Sequence, residues 1–510
     1  MTDTKCSSII YIVQIACACI WCLLSSGIIF GFAAFKPILI SEGIYSELCS
    51  NNEFSKRGIT NMEPCTLQDL QLNNIFTVAA VVTNVIALPV GWLLDYCGPQ
   101  VSGVIGALSI SMGAFSFIFS DVLISVLDPY LTGFILLAAG GPFVFISCFH
   151  LANTFSNSSG TVMALITGTF DSSSALFLIY RKVYQKMEGT LNLKTFFTFY
   201  LVVPIFIIFC QFFIMPRYSY QSPVTREGLS LNSDNISPEP AILEAEDALI
   251  GDQTILTLKR RNTYSTIETM AESRIHRHIG RTFDSMHGYS IRKQILSPWF
   301  YLMLLFAAIC MLRINYFVAT IRSQEEFLIG DIQLALKLNS YFDLLLPVGG
   351  IIAIPFIGLV LDKMESLHII MLLSTFSVSI GLFGLVPNSF TLNMIGIVLL
   401  VVYRPFYYTV VSAYTSKIFG FETFGTVYGL LTCLCGICNL FQNYLDKLTH
   451  TKFHMDPTPV NIILVISTLI SASALVVYIH SKRNQFNRKV SSSSGPLIIE
   501  RNITNNYDSI

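Results

Sequence analysis

Apolar residues run through this chain in long blocks parted by short polar stretches. The blocks are too long and too uniformly apolar for the one-sided helices of a water-soluble domain. A bilayer core about 30 Å thick requires about 20 apolar residues per helix. Blocks of that kind cover 10–35, 71–94, 101–120, 129–149, 160–180 and 195–215. A second set covers 298–320, 334–361, 366–386, 390–413, 424–445 and 460–480. The pattern predicts an all-α integral membrane protein with twelve transmembrane helices. The first block is longer than the apolar core of a signal peptide, and no small-residue cleavage site follows it.

The stretch between the two sets has another character. Residues 217–297 are rich in Ser, Thr, Glu and Arg, show no helical period, and have a disorder-like composition over 228–250. The expected organisation is a six-helix bundle over 1–216, a cytoplasmic linker over 217–297, a second six-helix bundle over 298–481, and a cytoplasmic tail over 482–510.

The two halves echo each other. The second block ends Pro89-Val90-Gly91-Trp92-Leu93-Leu94-Asp95, and the eighth ends Pro355-Phe356-Ile357-Gly358-Leu359-Val360-Leu361-Asp362. Both contain G-x-x-x-D, at an offset of 267 residues. One such motif is weak evidence. Two at matching places in six-helix halves indicate a repeat, which is the major facilitator architecture, with a solute site between the halves at mid-depth.

Composition narrows the reading further. Of 510 residues, 53% are hydrophobic and 12% charged, against about 25% charged in soluble domains. A net charge of −1 gives no reason to expect a nucleic-acid partner. Most of the 13 cysteines, such as Cys17, Cys19, Cys22, Cys433, Cys435 and Cys438, lie in apolar blocks and read as packing residues. Cys49 and Cys65 lie in a polar loop instead and are able to pair if that loop is outside the cytosol. No cofactor or metal is expected, and no H-E-x-x-H, G-x-S-x-G or phosphate loop points to an enzyme. No ring of like charges or filter-like repeat suggests a channel.

Basic residues near span ends set orientation. Arg217, Arg292 and Lys293 flank the linker, and Lys482, Arg483, Arg488 and Lys489 open the tail. Both termini are therefore placed in the cytosol, although Arg181, Lys182, Lys186 and Lys194 then face outward. The sequons at Asn157, Asn235 and Asn502 would be cytosolic and unmodified. The plasma membrane is the expected location, with an endolysosomal or vacuolar membrane as the alternative. Tyr264 and Tyr507 each begin a Y-x-x-Φ pattern that trafficking adaptors read, though matches this short also arise by chance.

Longer motifs carry a resemblance. The first block and its exit read Ser26-Gly27-Ile28-Ile29-Phe30-Gly31 and then Ser41-Glu42-Gly43-Ile44-Tyr45-Ser46-Glu47-Leu48-Cys49. Pro89 to Pro99 is similar to P-x-G-x-x-x-D-x-x-G-P, with Gly98 closing the turn. Gly168 to Ile179 and Phe424 to Leu430 add two further motifs. Together they resemble solute carrier family 43 of the major facilitator superfamily, over both halves. The resemblance implies sodium-independent, facilitative transport of large neutral amino acids or purine nucleobases. The Phe170-Asp171-Ser172-Ser173-Ser174 stretch is closer to the nucleobase branch. One departure matters: Tyr96 and Gln100 stand where the superfamily usually has Arg or Lys. Asp95 then lacks a local basic partner and is expected to cap a helix end in the opposite half.

Charges inside the blocks need a reason, since each costs about 2.5–3.5 kcal/mol at the bilayer centre. Asp171 either pairs with an arginine and holds helices together, or lines the cavity and accepts N–H donors from the solute, with Ser172 and Ser173 adding hydroxyls. Arg404, expected in the inner half of its block, either grips a solute carboxylate or closes an inner ion pair. Pro405 beside it favours a kink. Tyr407 in the same aromatic run is able to stack on a planar base or simply to pack. Arg313 and Asp343 either pair across blocks seven and eight or contact the solute, and Asp343 is also a candidate proton site. Gly27 and Gly31 mark close helix packing or exposed backbone. The chain therefore reads as a transporter of small organic solutes, with a proton-coupled symporter and a non-transporting nutrient sensor as rivals.

Overall fold

The computed structural model describes residues 2–49, 65–155, 158–187, 191–220 and 286–493. Most of the linker with Tyr264, the end of the tail with Tyr507, and the sequons at Asn157, Asn235 and Asn502 lie outside the described residues. Among those described, there is no strand, and twelve helices are long and apolar enough to cross a membrane. They are α1 (Ile9–Ser26), α2 (Leu67–Cys97), α3 (Pro99–Ile118), α4 (Pro129–Thr154), α5 (Ser159–Lys186) and α6 (Leu193–Phe213) in the first half. The second half holds α7 (Pro298–Ile329), α8 (Leu344–Lys363), α9 (Ser366–Phe383), α10 (Phe390–Phe419), α11 (Phe424–Thr451) and α12 (Thr458–Gln485). Each matches one predicted block, so the chain is an integral multi-pass membrane protein.

Local chemistry sets the helix starts. Asp128 accepts the Tyr130 and Leu131 N–H groups ahead of α4, and Asn192 accepts that of Thr195 at α6. Ser297 with Pro298 opens α7 in the same way. Gly98 turns the chain between α2 and α3 at φ +85°, a backbone shape that side chains rarely adopt. With an even number of crossings, the described residues before α1, after α6, before α7 and after α12 share one face of the bundle, here the linker face. The loop carrying Cys49 and Cys65 lies on the other, the loop face.

The E-G-I-Y-S exit organises the loop-face rim. The Leu193 N–H donates to Glu42 at 2.8 Å, tying the end of the first span to the start of α6. Tyr45, at φ +60°, donates its hydroxyl to Asp128 Oδ2 at 2.5 Å and so reaches the cap of α4. A Cys49–Cys65 disulfide fastens the loop to the start of α2. Burial pushes the Glu42 carboxyl above its ordinary range, with the Leu193 N–H and Lys194 pulling the other way.

Two helices are broken at the same depth. After Trp21 the first span winds into a π turn over Cys22–Ser26, leaves helical geometry at Gly27, tightens to a 3-10 turn over Ile28–Gly31, and resumes as Phe32–Ser41. The Ser25 and Ser26 hydroxyls bond back to the Trp21 and Cys22 carbonyls across this break. The fifth span comprises Ser159–Ser172 and Ala175–Lys186, and Ser173 and Ser174 bond back to the Phe170 and Asp171 carbonyls. The breaks touch: a Cβ on Gly27 would come within 2.7 Å of the Phe170 carbonyl. The Gly27 and Gly31 pair is thus a close-packing device at a break, rather than within a continuous helix.

Between the halves, α2 packs on α11 and α5 packs on α8. These two seams place the site.

Candidate functional site

The seams close first at the linker face. Asp95, at the end of α2, accepts the N–H groups of Gly425 at 2.9 Å and Thr426 at 2.6 Å, the first residues of α11. Asp362, at the end of α8, accepts those of Gly160 at 2.8 Å and Thr161 at 3.2 Å, the first turn of α5. The Thr161 hydroxyl adds a third bond at 2.5 Å. Each carboxylate of the repeated motif therefore seats on a helix N-terminus in the opposite half. There, unpaired N–H groups and the positive end of the helix dipole favour an anion. The glycine of each motif makes this possible. A Cβ on Gly91 would overlap the Gly425 carbonyl, and one on Gly358 would press within 2.8 Å of Thr161 Oγ1.

Further in, α5 and α8 stay close where Gly168 and Gly350 face each other. Asp171 follows Gly168 by less than one turn. It lies about 16 Å from the Gly160 lock at 1.5 Å per residue, near mid-depth. Its carboxylate is 2% exposed and lies 3.2 Å from Nε of Arg404, which is 5% exposed. This ion pair joins α5 of one half to α10 of the other. The helix carrying Arg404 continues to Phe419, beyond the expected end at 413. That length puts Arg404 near the centre of its helix rather than in the inner half. Pro405 sits inside the same helix, and Thr409 bonds to its carbonyl at 2.7 Å.

The pairing is incomplete. Neither Asp171 oxygen has a hydrogen-bond partner, and Ser172 Oγ, equally buried, has none. Aromatic rings surround the pair. Phe30, on the tight turn after Gly27, lies over the Arg404 guanidinium at 5.4 Å. Phe170 contacts Phe30 at 6.0 Å, Phe145 at 4.4 Å and Tyr408 at 6.4 Å between ring centres. The arrangement offers one anion, one cation, a free hydroxyl and an apolar, π-rich wall, all at the junction of the halves.

Other candidates stand elsewhere. Tyr407 turns its hydroxyl to the Ala307 carbonyl at 2.8 Å and so braces α10 against α7. Ser173 spends its hydroxyl on its own helix. Arg313 points into the second half, beside Gly381 of α9 and Val465 of α12. Asp343 lies on the helix Ile332–Lys363, but its side chain is outside the described residues, as is any contact it makes with Arg313. Sequence reading missed Phe30 and Phe145. The available signal for Phe30 was its place in Ser26-Gly27-Ile28-Ile29-Phe30-Gly31, the motif that marks the break. No cluster of metal-ligating side chains occurs among the described residues.

Two six-helix halves meeting at a buried charge pair define a transporter of the major facilitator type, not an enzyme. The chain matches no family model. It is 54% identical over 482 residues to Protein FMP42 of Saccharomyces cerevisiae, covering 92% of this chain and 94% of that one. It is 24% identical to Equilibrative nucleobase transporter 1 of Bos taurus, over 88% of this chain and 92% of that one. Large neutral amino acids transporter small subunit 3 of Homo sapiens is 23% identical over 60% of this chain and 56% of its own. Among solved structures, the proton:xylose symporter XylE aligns with TM-score 0.60 and 11% identity over 93% of this chain and 96% of that one, a likeness of fold. The chain belongs to the solute carrier 43 family of the major facilitator superfamily.

Proposed function

We propose that this protein carries large neutral amino acids by facilitative, sodium-independent alternating access, with Asp171 and Arg404 as the poles of its solute site. The observation that supports this reading is the incompletely bonded charge pair between the halves. A zwitterion complements such poles once their 3.2 Å contact parts: its ammonium meets the Asp171 carboxylate, and its carboxylate meets the Arg404 guanidinium in a bidentate grip. Phe30, Phe145, Phe170 and Tyr408 then receive an apolar or aromatic side chain. Because the poles belong to different halves, a bound solute bridges them and biases their closure. With the linker face in the cytosol, the conformation described here is sealed on the cytosolic side by the Asp95 and Asp362 locks. Breaking both locks opens the inward path. The plasma membrane is the proposed site of action.

Purine nucleobases are the second reading. It rests on the nearly full-length match to the bovine nucleobase transporter and on the aromatic wall, which suits a planar ring. Uptake of radiolabelled leucine and adenine into proteoliposomes, with and without a pH gradient, tests both. Saturable leucine uptake indifferent to the gradient supports the first reading, and adenine uptake alone supports the second. Stimulation by the gradient replaces facilitation with proton coupling. Flux of neither solute leaves a nutrient sensor as the better account. Protease or epitope accessibility of the linker tests the orientation.

A further inference from the structure

The second half contains another buried cation besides Arg404. Arg313 on α7 is 2% exposed, and its Nε and Nη2 have no hydrogen-bond partner. A glycine makes space for it: a Cβ on Gly381 of α9 would overlap the guanidinium. Cys310 and Tyr403 lie beside Arg313, and Cys310 in turn reaches Tyr403 and Ser377. Tyr403 of α10 and Ser377 of α9 are fully buried, and their hydroxyls lie within reach of each other and of Cys310 without a well-aligned hydrogen bond. Three helices thus bring a guanidinium and two hydroxyls to one place. Among the described residues, no carboxylate pairs with the guanidinium.

Arginine cannot escape its charge by losing a proton. An uncompensated cation at this depth is costly, and so are buried donors without acceptors. A small anion accepts from all of these groups at once and neutralises the arginine. A halide suits such a donor set, because it is monatomic and has no internal geometry to satisfy. We propose that Arg313, Tyr403 and Ser377 form a chloride site inside the second half. Tyr403 directly precedes Arg404, so an occupied site would also steady the segment of α10 that presents Arg404 to the solute.

The test uses the full-length protein in detergent, unfolded thermally at constant ionic strength with gluconate replaced stepwise by chloride or bromide. The expected result is an unfolding temperature that rises with either halide and saturates. Arg313→Gln should abolish the rise. Tyr403→Phe keeps the charge and removes one donor, so it should move the halide midpoint up by about tenfold. It carries the test if the arginine variant fails to fold. Identical unfolding in chloride and gluconate would overturn the site, as would a halide response unchanged by Tyr403→Phe. If Asp343 is the counter-ion instead, Asp343→Asn should create a halide response that the parent protein lacks, and that result also rejects the proposal.

Discussion

The Asp171 carboxylate and the Arg404 guanidinium meet at 3.2 Å across the boundary between the two halves of the molecule. Each is buried, and each depends on the other for its counter-charge. Breaking a buried pair by removing one partner costs about 3–5 kcal/mol, because the remaining charge stays in a low dielectric.

Asp171→Asn should therefore reduce solute uptake at least about tenfold while protein still reaches the membrane. Adding Arg404→Gln should restore much of the thermal stability and none of the transport. Uptake and unfolding temperature measured on the same three variants separate the roles. Normal uptake by Asp171→Asn would sink the proposed site. Recovery of transport in the double variant would show that the pair only holds helices together.

The locks at the linker face make a second prediction. A carboxylate at a helix N-terminus contributes about 0.3–2 kcal/mol. Asp95→Asn or Asp362→Asn should thus shift the closed-to-open ratio by about 2- to 30-fold toward opening at that face. Spin labels on the ends of α2 and α11 would report a larger population at long distance. Gly91→Leu should act more strongly, since its side chain would overlap the Gly425 carbonyl. Unchanged distance distributions in all three variants would remove the locks from the gating account.

Phe30 lies over Arg404 at 5.4 Å and on a broken stretch of backbone. A cation–π contact of this kind is worth about 0.5–2 kcal/mol. Phe30→Leu should change the KM for planar or aromatic solutes by about 2- to 30-fold relative to aliphatic ones. Competition between leucine and phenylalanine uptake reads that ratio directly. A ratio matching the parent protein would assign Phe30 to packing.

Glu42 gives a prediction in pH. Its carboxyl is held above the ordinary range by burial, so the folded protein binds this proton more tightly than the unfolded chain. Its stability contribution is greatest below the unfolded pKa. It declines as pH rises through the interval up to the folded value, and it is lost above that. Glu42→Gln retains an oxygen for the Leu193 N–H and has no charge to bury. The variant should match the parent at about pH 4 and exceed it in unfolding temperature at about pH 7. A less stable variant at neutral pH would show that the charge itself supports the rim.

The twelve spans and their division were legible because hydropathy acts at the scale of whole helices. The repeat was legible because Gly91 with Asp95, and Gly358 with Asp362, repeat both spacing and place. The opposite-half contact of Asp95 could be read from Tyr96 and Gln100, which leave it no local basic partner. The breaks at Gly27 and Ser173 were not legible. Ser25-Ser26-Gly27 and Asp171-Ser172-Ser173-Ser174 read equally well as packing or site residues within a continuous helix, and the irregular backbone persists only where the two breaks pack on each other. Tyr407 illustrates the complementary limit. An aromatic residue beside Arg404 invites a site role, yet helical geometry turns it toward α7, and Phe30 from a distant segment takes the place over the guanidinium.

The two seals at the linker face use one chemistry twice, on opposite sides of the solute path. Such duplication provides redundancy. With one carboxylate removed, the other still draws its helix end shut for part of the time. Damage to a single seal should therefore raise the inward-open share only in part, and the closed state at this face should be lost only when both seals are gone. A carrier built from two copies of one half inherits a spare for the part that holds one of its two faces shut.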